Sequence, residues 1–260
     1  MKGVELMGMS IGFIGTGVIT SALVTGFCSG EDLDHRIYLS PRNAERASEL
    51  AGKFKNVTVA GSNQEVLDKS EWVVLAVVPK LGEDIIRPLT FRADHRVINL
   101  IADRKLSEIA SWIGKTRTLV HMVPLPFASR RIGPIALYPN DLDVANLFAP
   151  LGNIIGVNDE KQIEALLVIT ALMSSYYNLL WEVVKWGESN GLSMKESTEF
   201  TTSFFEALSS QARYDGDLSR LVEEMTPGGL NEMALHMIKG QDGFQPWVRA
   251  LEPVLRRIRK

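Results

Sequence analysis

Cysteine is almost absent from this sequence, and neither sign of charge dominates it. The single cysteine, Cys28, excludes an internal disulfide and a metal site made of several thiolates, so we expect no metal ion. The formal net charge of the 260-residue chain is only −3. A nearly neutral protein has no electrostatic reason to bind nucleic acid, and we predict none as a partner.

Clear membrane-spanning and targeting segments are also missing. The uncharged stretch Ala165–Trp181 has 17 residues and contains several polar side chains, whereas a spanning helix needs about 20 apolar residues. The apolar stretch from Ile11 to Phe27 has a signal-peptide-like composition, but its glycines suit a nucleotide-binding loop better. We therefore predict a cytoplasmic protein that does not bind a membrane.

Short apolar runs alternate with helix-like stretches through residue 157. The predicted strands are Ile11–Ile14, Arg36–Leu39, Val57–Ala60, Trp72–Val78, Arg96–Ile101, Thr118–Val123, Ile135–Tyr138 and Asn153–Val157. This alternation is typical of an α/β fold with a doubly wound, mostly parallel sheet, and it predicts a Rossmann-type dinucleotide-binding domain over residues 1–157.

Residues 158–260 show no convincing strand pattern and are predicted to form an all-helical domain. Its first helix is expected to run from Asn158, as N-cap, to about Asn190, where Gly191 ends it. This helix is apolar on most faces, and about 100 residues of helical chain offer little to bury it. We therefore expect a homodimer through this domain, with a higher oligomer left open.

A glycine-rich turn stands between the first strand and the first helix. Gly15 is predicted to make the tight turn, and Gly17 to let the backbone approach a pyrophosphate at the start of the helix. The candidate cofactor-binding residues of this turn are Gly15, Thr16, Gly17, Val18 and Ile19. A glycine turn of another kind of α/β protein is the alternative.

The end of the second strand indicates which dinucleotide is used. No carboxylate lies between Arg36 and Arg42, so nothing there repels a 2′-phosphate, and Ser40, Arg42 and Asn43 are predicted to bind one. The cofactor should be NADP rather than NAD. In the alternative interpretation, Ser40 is simply the N-cap of a helix over Ser40–Lys53, and Arg42 is an exposed side chain.

Four motifs give the chain a resemblance to the pyrroline-5-carboxylate reductase family over nearly its whole length. They are G-F-I-G-T-G at Gly12–Gly17, L-A-V-V-P at Leu75–Pro79, the closing part of L-M-S-S-Y-Y-N-L-L-W-E at Leu172–Glu182, and M-T-P-G-G at Met225–Gly229. The resemblance implies a Rossmann domain with a helical dimerisation domain. It also implies NAD(P)H-dependent reduction of a cyclic imino acid, 1-pyrroline-5-carboxylate, to L-proline, and with the residues after the second strand we expect NADPH to be the reductant.

The resemblance also implies roles for individual residues. Val77 and Pro79 would contact the cofactor, Thr226 and Asn231 would orient the substrate, and Tyr176, Gly228, Gly229 and Leu230 would line its site. The backbone N–H groups after Thr226-Pro227-Gly228-Gly229 could hold a substrate carboxylate. His121 is a candidate proton donor, with a structural histidine as the alternative.

Several positions depart from the family pattern. Val78 replaces a lysine, Met122-Val123-Pro124-Leu125-Pro126 lacks the family's asparagine, and Leu230 and Asn231 replace two threonines. These changes leave open a related imine or ketone reductase with another substrate, or a non-catalytic NADP-binding sensor or assembly protein. A β-hydroxyacid dehydrogenase would need a lysine on the long helix, and none lies between Lys161 and Lys185.

Overall fold

The computed structural model describes residues 8–30 and 35–259. It divides into two compact units: the described chain up to Leu167 together with Arg259, and Val168–Ile258. This division falls inside the helix that follows the last strand. The domain boundary that we place after residue 157 stays a prediction.

The first unit is built on one eight-stranded sheet. Its strands are β1 (Ser10–Ile14), β2 (Arg36–Leu39), β3 (Val57–Val59), β4 (Trp72–Leu75), β5 (Arg96–Asn99), β6 (Thr118–Val123), β7 (Pro134–Tyr138) and β8 (Asn153–Gly156). The strand order is β3-β2-β1-β4-β5-β6-β7-β8, and only the β6–β7 pair is antiparallel. The predicted doubly wound, mostly parallel sheet is therefore confirmed.

Helices cover both faces of this sheet, which explains why the central strand β4 is apolar throughout. They are α1 (Val18–Cys28), α2 (Ala44–Lys53), α3 (Asn63–Lys69), α4 (Gly82–Ile86), α5 (Leu106–Ile113), α6 (Leu142–Phe148) and the beginning of α7 (Glu160–Ile169). Two buried apolar clusters result, one containing Phe13, Phe27 and Phe148, the other Ile14 and Leu75. This packed core fixes the carboxyl ends of the strands.

Two predicted helix starts are wrong. The second helix begins at Ala44 rather than Ser40, because Asn43 is its N-cap and accepts a hydrogen bond from the Arg46 N–H. The long helix begins at Glu160, and Asp159 rather than Asn158 accepts the N–H of Lys161. In both cases a second Asn or Asp close to the predicted cap competes for the same backbone donors.

The second unit is entirely helical in its described residues. After the end of α7 it contains α8 (Met173–Ser189), α9 (Met194–Asp215), α10 (Leu218–Glu223), α11 (Leu230–Gly240) and α12 (Gln245–Ile258). Gly191, at φ +97°, follows the end of α8. Ser193 and Glu196 form a capping box that starts α9.

The apolar helix has about the length that the sequence predicts. A single 3₁₀ turn joins α7 to α8, and the resulting helix over Glu160–Ser189 has 30 residues, with 11% of its most apolar window buried. By length and composition alone it could cross a membrane, so our length argument against a spanning helix is wrong. Such a helix is weak evidence for a membrane protein, because an interface helix of a soluble protein has the same properties.

Candidate cofactor and substrate sites

The candidate cofactor site lies at the carboxyl ends of the parallel strands. Ile14, Leu75, Asn99 and His121 are partners in register across β1, β4, β5 and β6, so they mark one edge of the sheet. A cleft of about 520 Å³ opens beyond this edge. It is lined by Gly15, Thr16, Gly17, Arg42, Asn43, Ala44, Glu45, Ala76, Val77 and Val78. This is where doubly wound sheets bind their ligands.

Gly15 makes the tight turn that the sequence predicts. Its φ is +101°, and a Cβ atom there would lie 2.4 Å from the carbonyl oxygen of Ala76. Its N–H donates to the Ser40 hydroxyl at 2.8 Å, and its carbonyl oxygen accepts the Thr20 hydroxyl at 2.7 Å. Only glycine fits this conformation and this spacing.

The N-terminus of α1 is open to a ligand. Gly17 is the N-cap without a side-chain cap bond, and no heavy atom lies within 4 Å of the position of a Cβ on Gly17. Within the described residues, no hydrogen bond uses the N–H of Thr16, Gly17 or Val18. Uncommitted N–H groups at the positive end of a helix dipole fit a pyrophosphate. The predicted phosphate loop is thus present in shape and donor chemistry.

Of the three predicted phosphate-binding residues after β2, two line the cleft and one is buried beneath it. Arg42 is exposed on the cleft and makes no ion pair within the described residues, and Asn43 lines the cleft while capping α2. Ser40 is only 1% exposed, and its hydroxyl lies beneath the glycine turn. The cleft also contains the carboxylate of Glu45, which the sequence analysis missed because it considered only the strand end.

The loop after β4 forms the other wall of the cleft. Val77 and Val78 line it, and Pro79 starts a 3₁₀ turn whose carbonyl oxygen accepts a 3.3 Å hydrogen bond from Arg104. Arg104 also pairs with Glu108 at 2.7 Å. Ile19 does not line the cleft but packs against the core. Arg104 escaped sequence analysis because it comes from the loop after another strand.

His121 lies at the same sheet edge but is not suited to donate a proton from an imidazolium. It is 8% exposed, and burial lowers its pKa to about 4. The ring is therefore neutral at pH 7. The structure favours the structural histidine over the proton donor.

In the second unit, the P-G-G turn starts α11 as expected. Gly228 has φ +74°, the Gly229 N–H donates to the Thr226 carbonyl, and Gly229 is an N-cap without a side-chain bond. The Gly228 N–H, however, already donates to the Glu232 carboxylate at 2.6 Å. One backbone donor of this helix start is therefore occupied by an internal carboxylate that the sequence analysis missed.

The remaining predicted substrate residues lie on the helices of the second unit. Leu230 is 84% exposed and Asn231 is exposed beside it. Tyr176, on α8, is half-buried against the ring of Phe205 on α9, at 6.2 Å between centroids. The contact explains Tyr176 as a packing residue, and its role toward a substrate stays a prediction.

Known proteins match this chain in sequence and fold. Residues 10–103 match the family model described as NADP oxidoreductase, coenzyme F420-dependent. Pyrroline-5-carboxylate reductase from Pseudomonas aeruginosa is 26% identical over 253 residues, covering 92% of this chain and 91% of that protein. The soybean (Glycine max) enzyme of the same name is 25% identical, covering 91% of this chain and 89% of that protein.

A solved structure extends the match to the complete fold. Pyrroline carboxylate reductase from Plasmodium falciparum, solved with NADP bound, superposes with a TM-score of 0.83 at 18% identity, covering 98% of both chains. Because the match covers 98% of this chain, the apolar helix Glu160–Ser189 is part of the shared fold. With its glycine turn, open α1 N-terminus and P-G-G helix start, the chain is similar to pyrroline-5-carboxylate reductases over nearly its whole length and shares their fold.

Proposed function

We propose that the protein is an NADPH-dependent reductase that transfers a hydride to the C=N bond of 1-pyrroline-5-carboxylate, forming L-proline. The observation that carries this proposal is the cleft at the sheet edge. There, the open α1 N-terminus offers donors for a pyrophosphate, and the unpaired Arg42 offers a cation for a 2′-phosphate. These are the two anionic groups that NADP presents to a protein.

In this proposal the backbone N–H groups of Thr16, Gly17 and Val18 bind the pyrophosphate, and Arg42 and Asn43 bind the 2′-phosphate. Val77 lines the cleft and Pro79 follows in the same loop, and both would contact the nicotinamide half. When bound, NADPH supplies the hydride from its nicotinamide ring. The protein's contribution is to hold the two reactants in place and to keep the site closed to unproductive poses.

The substrate side would use the start of α11. The N–H groups of Leu230 and Asn231 are free to bind a carboxylate at the positive end of the helix dipole, and Thr226 and the Asn231 amide would orient the ring. Tyr176, Gly228 and Gly229 would complete the site. The hydride forms the new C–H bond at the imine carbon, the C=N electron pair moves to nitrogen, and a protonated ring nitrogen accepts it.

The preference for NADPH has a direct test. Arg42→Ala should raise the KM for NADPH about tenfold, since a charge-assisted hydrogen bond to phosphate is lost, while the KM for NADH changes little. Arg46→Ala, a neighbouring charge change on α2, is the control. Equal effects of Arg42→Ala on both nucleotides would contradict the assignment.

We also propose a cytoplasmic homodimer assembled through the second unit. The support is the large number of exposed apolar side chains there, among them Trp181, Trp186, Phe200 and Phe204. A single soluble domain rarely leaves such a surface uncovered. A second copy of the chain would bury it, including the face of the apolar helix that is exposed in the single chain.

A second candidate function is reduction of an imine without a carboxylate. Glu232 favours it, because its negative charge and its hydrogen bond to Gly228 disfavour an anion at the start of α11. Reduction of 1-pyrroline-5-carboxylate remains the leading proposal, because the N–H groups of Leu230 and Asn231 at the start of α11 are still free to bind its carboxylate.

NADPH oxidation with 1-pyrroline-5-carboxylate and with 1-pyrroline, followed by absorbance, tests both proposals. Turnover of the carboxylate substrate with formation of proline supports the first. Turnover of 1-pyrroline alone supports the second, and NADPH binding without turnover of either imine would favour the non-catalytic interpretation.

A further inference from the structure

Each polar group of Ser40 makes a hydrogen bond to β1 or to the glycine turn that follows it. It follows β2 directly, and its backbone N–H donates to the Phe13 carbonyl at 3.0 Å. Its hydroxyl accepts the Gly15 N–H at 2.8 Å, and its carbonyl accepts the Thr16 hydroxyl at 3.0 Å. The side chain is 1% exposed. Ser40 therefore connects two strand ends underneath the cleft.

These bonds decide which backbone donors a ligand can reach. The Gly15 N–H donates to the Ser40 hydroxyl, so this donor of the turn is not available to a pyrophosphate. The next N–H groups along the chain are the free ones. A buried N–H that loses its partner carries a large penalty, so removal of the Ser40 hydroxyl should let the turn rotate or relax.

We propose that Ser40 is a positioning residue of the cofactor site, which acts through Gly15 and does not touch the nucleotide. Its hydroxyl holds the turn so that the N–H groups of Thr16, Gly17 and Val18 face the pyrophosphate. The inference rests on the proposed function. NADPH and NADH share the pyrophosphate, so a positioning role predicts that loss of the Ser40 hydroxyl weakens the binding of both nucleotides equally. A direct contact to the 2′-phosphate would weaken only the binding of NADPH.

Calorimetric titration of the full-length Ser40→Ala protein with NADPH and with NADH tests this role. We expect both dissociation constants to rise by the same factor, about tenfold, so that their ratio stays at the wild-type value. Thr16→Val removes the bond to the Ser40 carbonyl and the 3.3 Å contact with the Ser40 hydroxyl but keeps the Gly15–Ser40 bond, and should give a smaller, again parallel, loss. It also serves as the test should Ser40→Ala fail to fold.

Ser62→Ala is the matched control. The Ser62 hydroxyl accepts the Glu65 N–H at 3.1 Å as N-cap of α3, so this variant loses stability through the same chemical change without altering the cleft. Weaker binding of NADPH alone in Ser40→Ala would show a direct phosphate contact and overturn the proposal. Unchanged dissociation constants with a lowered melting temperature would reduce Ser40 to a structural residue. If the wild-type protein bound neither nucleotide, the proposed function itself would fail.

Discussion

The two units of the chain bury their apolar side chains to very different extents. In the first unit the large apolar residues fill two clusters around the sheet. In the described part of the second unit, only Val168 and Val184 are buried among the apolar residues, while aromatic side chains such as Trp186 and Phe200 are exposed. The first unit thus buries its apolar residues within one chain, whereas the second exposes the apolar surface that the proposed dimer would bury.

The largest expected effect would come from charging that exposed surface. Phe200 and Phe204 stack on α9 with 6.2 Å between ring centroids, and we expect Phe200→Glu with Phe204→Glu to convert the proposed dimer into monomers. Sedimentation velocity at micromolar protein measures this. Thr202→Glu places a charge at an exposed polar position of the same helix and should leave the dimer intact. If the protein remains a dimer with both phenylalanines changed, this exposed surface is not the dimer interface.

Two glycines of the first unit separate the stability of the turn from its binding of the nucleotide. Gly15→Ala forces φ +101° on a side chain that meets the Ala76 carbonyl, so we expect a loss of about 3 kcal/mol in unfolding free energy. Gly17→Ala has open space for its Cβ and should leave stability within about 0.5 kcal/mol. It should nevertheless weaken nucleotide binding about 100-fold, because that space is where the phosphates would lie.

Denaturant unfolding and calorimetry on both glycine variants separate the two effects. Full nucleotide affinity in Gly17→Ala would contradict the placement of the pyrophosphate at the α1 N-terminus. Normal stability of Gly15→Ala would show that the turn can adopt another conformation.

The buried His121 gives the first unit a pH dependence of comparable size. Burial lowers its folded pKa from 6.5 to about 4, so the unfolded chain binds a proton below pH 6.5 that the folded chain does not. The free energy of unfolding is therefore unaffected by His121 above pH 6.5. It falls by about 3 kcal/mol as the pH is lowered from 6.5 toward 4.

Urea unfolding of wild type and His121→Gln at pH 7.5 and pH 4.5 measures this contribution. The variant should lose less stability between the two pH values than the wild type does. The buried His95, whose pKa is also lowered, chiefly by burial, remains in both proteins and provides the common background. An identical pH dependence in both proteins would contradict the assignment to His121.

The smallest effect is expected at the start of α11 in the second unit. Glu232→Ala frees the Gly228 N–H and removes a negative charge, so the KM for 1-pyrroline-5-carboxylate should fall a few-fold. The carboxylate-free substrate 1-pyrroline is the control, and its KM should not change. A KM for the carboxylate substrate that stays constant or rises would mean that Glu232 does not compete with it.

Periodicity and local turn chemistry predicted much of this fold correctly. The eight strands lie where apolar and β-branched runs predict them, and Gly191 and the Ser193–Glu196 capping box delimit helices as expected. Strand ends were placed too late, as at Trp72–Val78, because the cleft-lining loop beyond Leu75 is as apolar as the strand. Composition does not distinguish a strand from an apolar loop at the sheet edge.

The candidate site was predictable only in part. The glycine turn and Arg42 were found because their chemistry is local to a few residues. The bond of Ser40 to the glycine turn and the place of Arg104 could not be predicted, because they depend on partners after other strands, Gly15 and Pro79. Glu45 was missed because only the strand end was considered. Glu232 was missed for a simpler reason, since a first-turn glutamate is an ordinary helix feature.

The sequence by itself determined the order of strands and helices, the glycine turn and the change from α/β to helical chain, because these depend on side-chain periodicity and on backbone preferences over a few residues. Only the tertiary structure decided that the Ser40 hydroxyl lies under the Gly15 turn, that His121 is buried and neutral, and that the apolar surface of the second unit stays open. Burial and hydrogen-bond partners are set by residues far apart in the chain, and no local pattern records which of them meet.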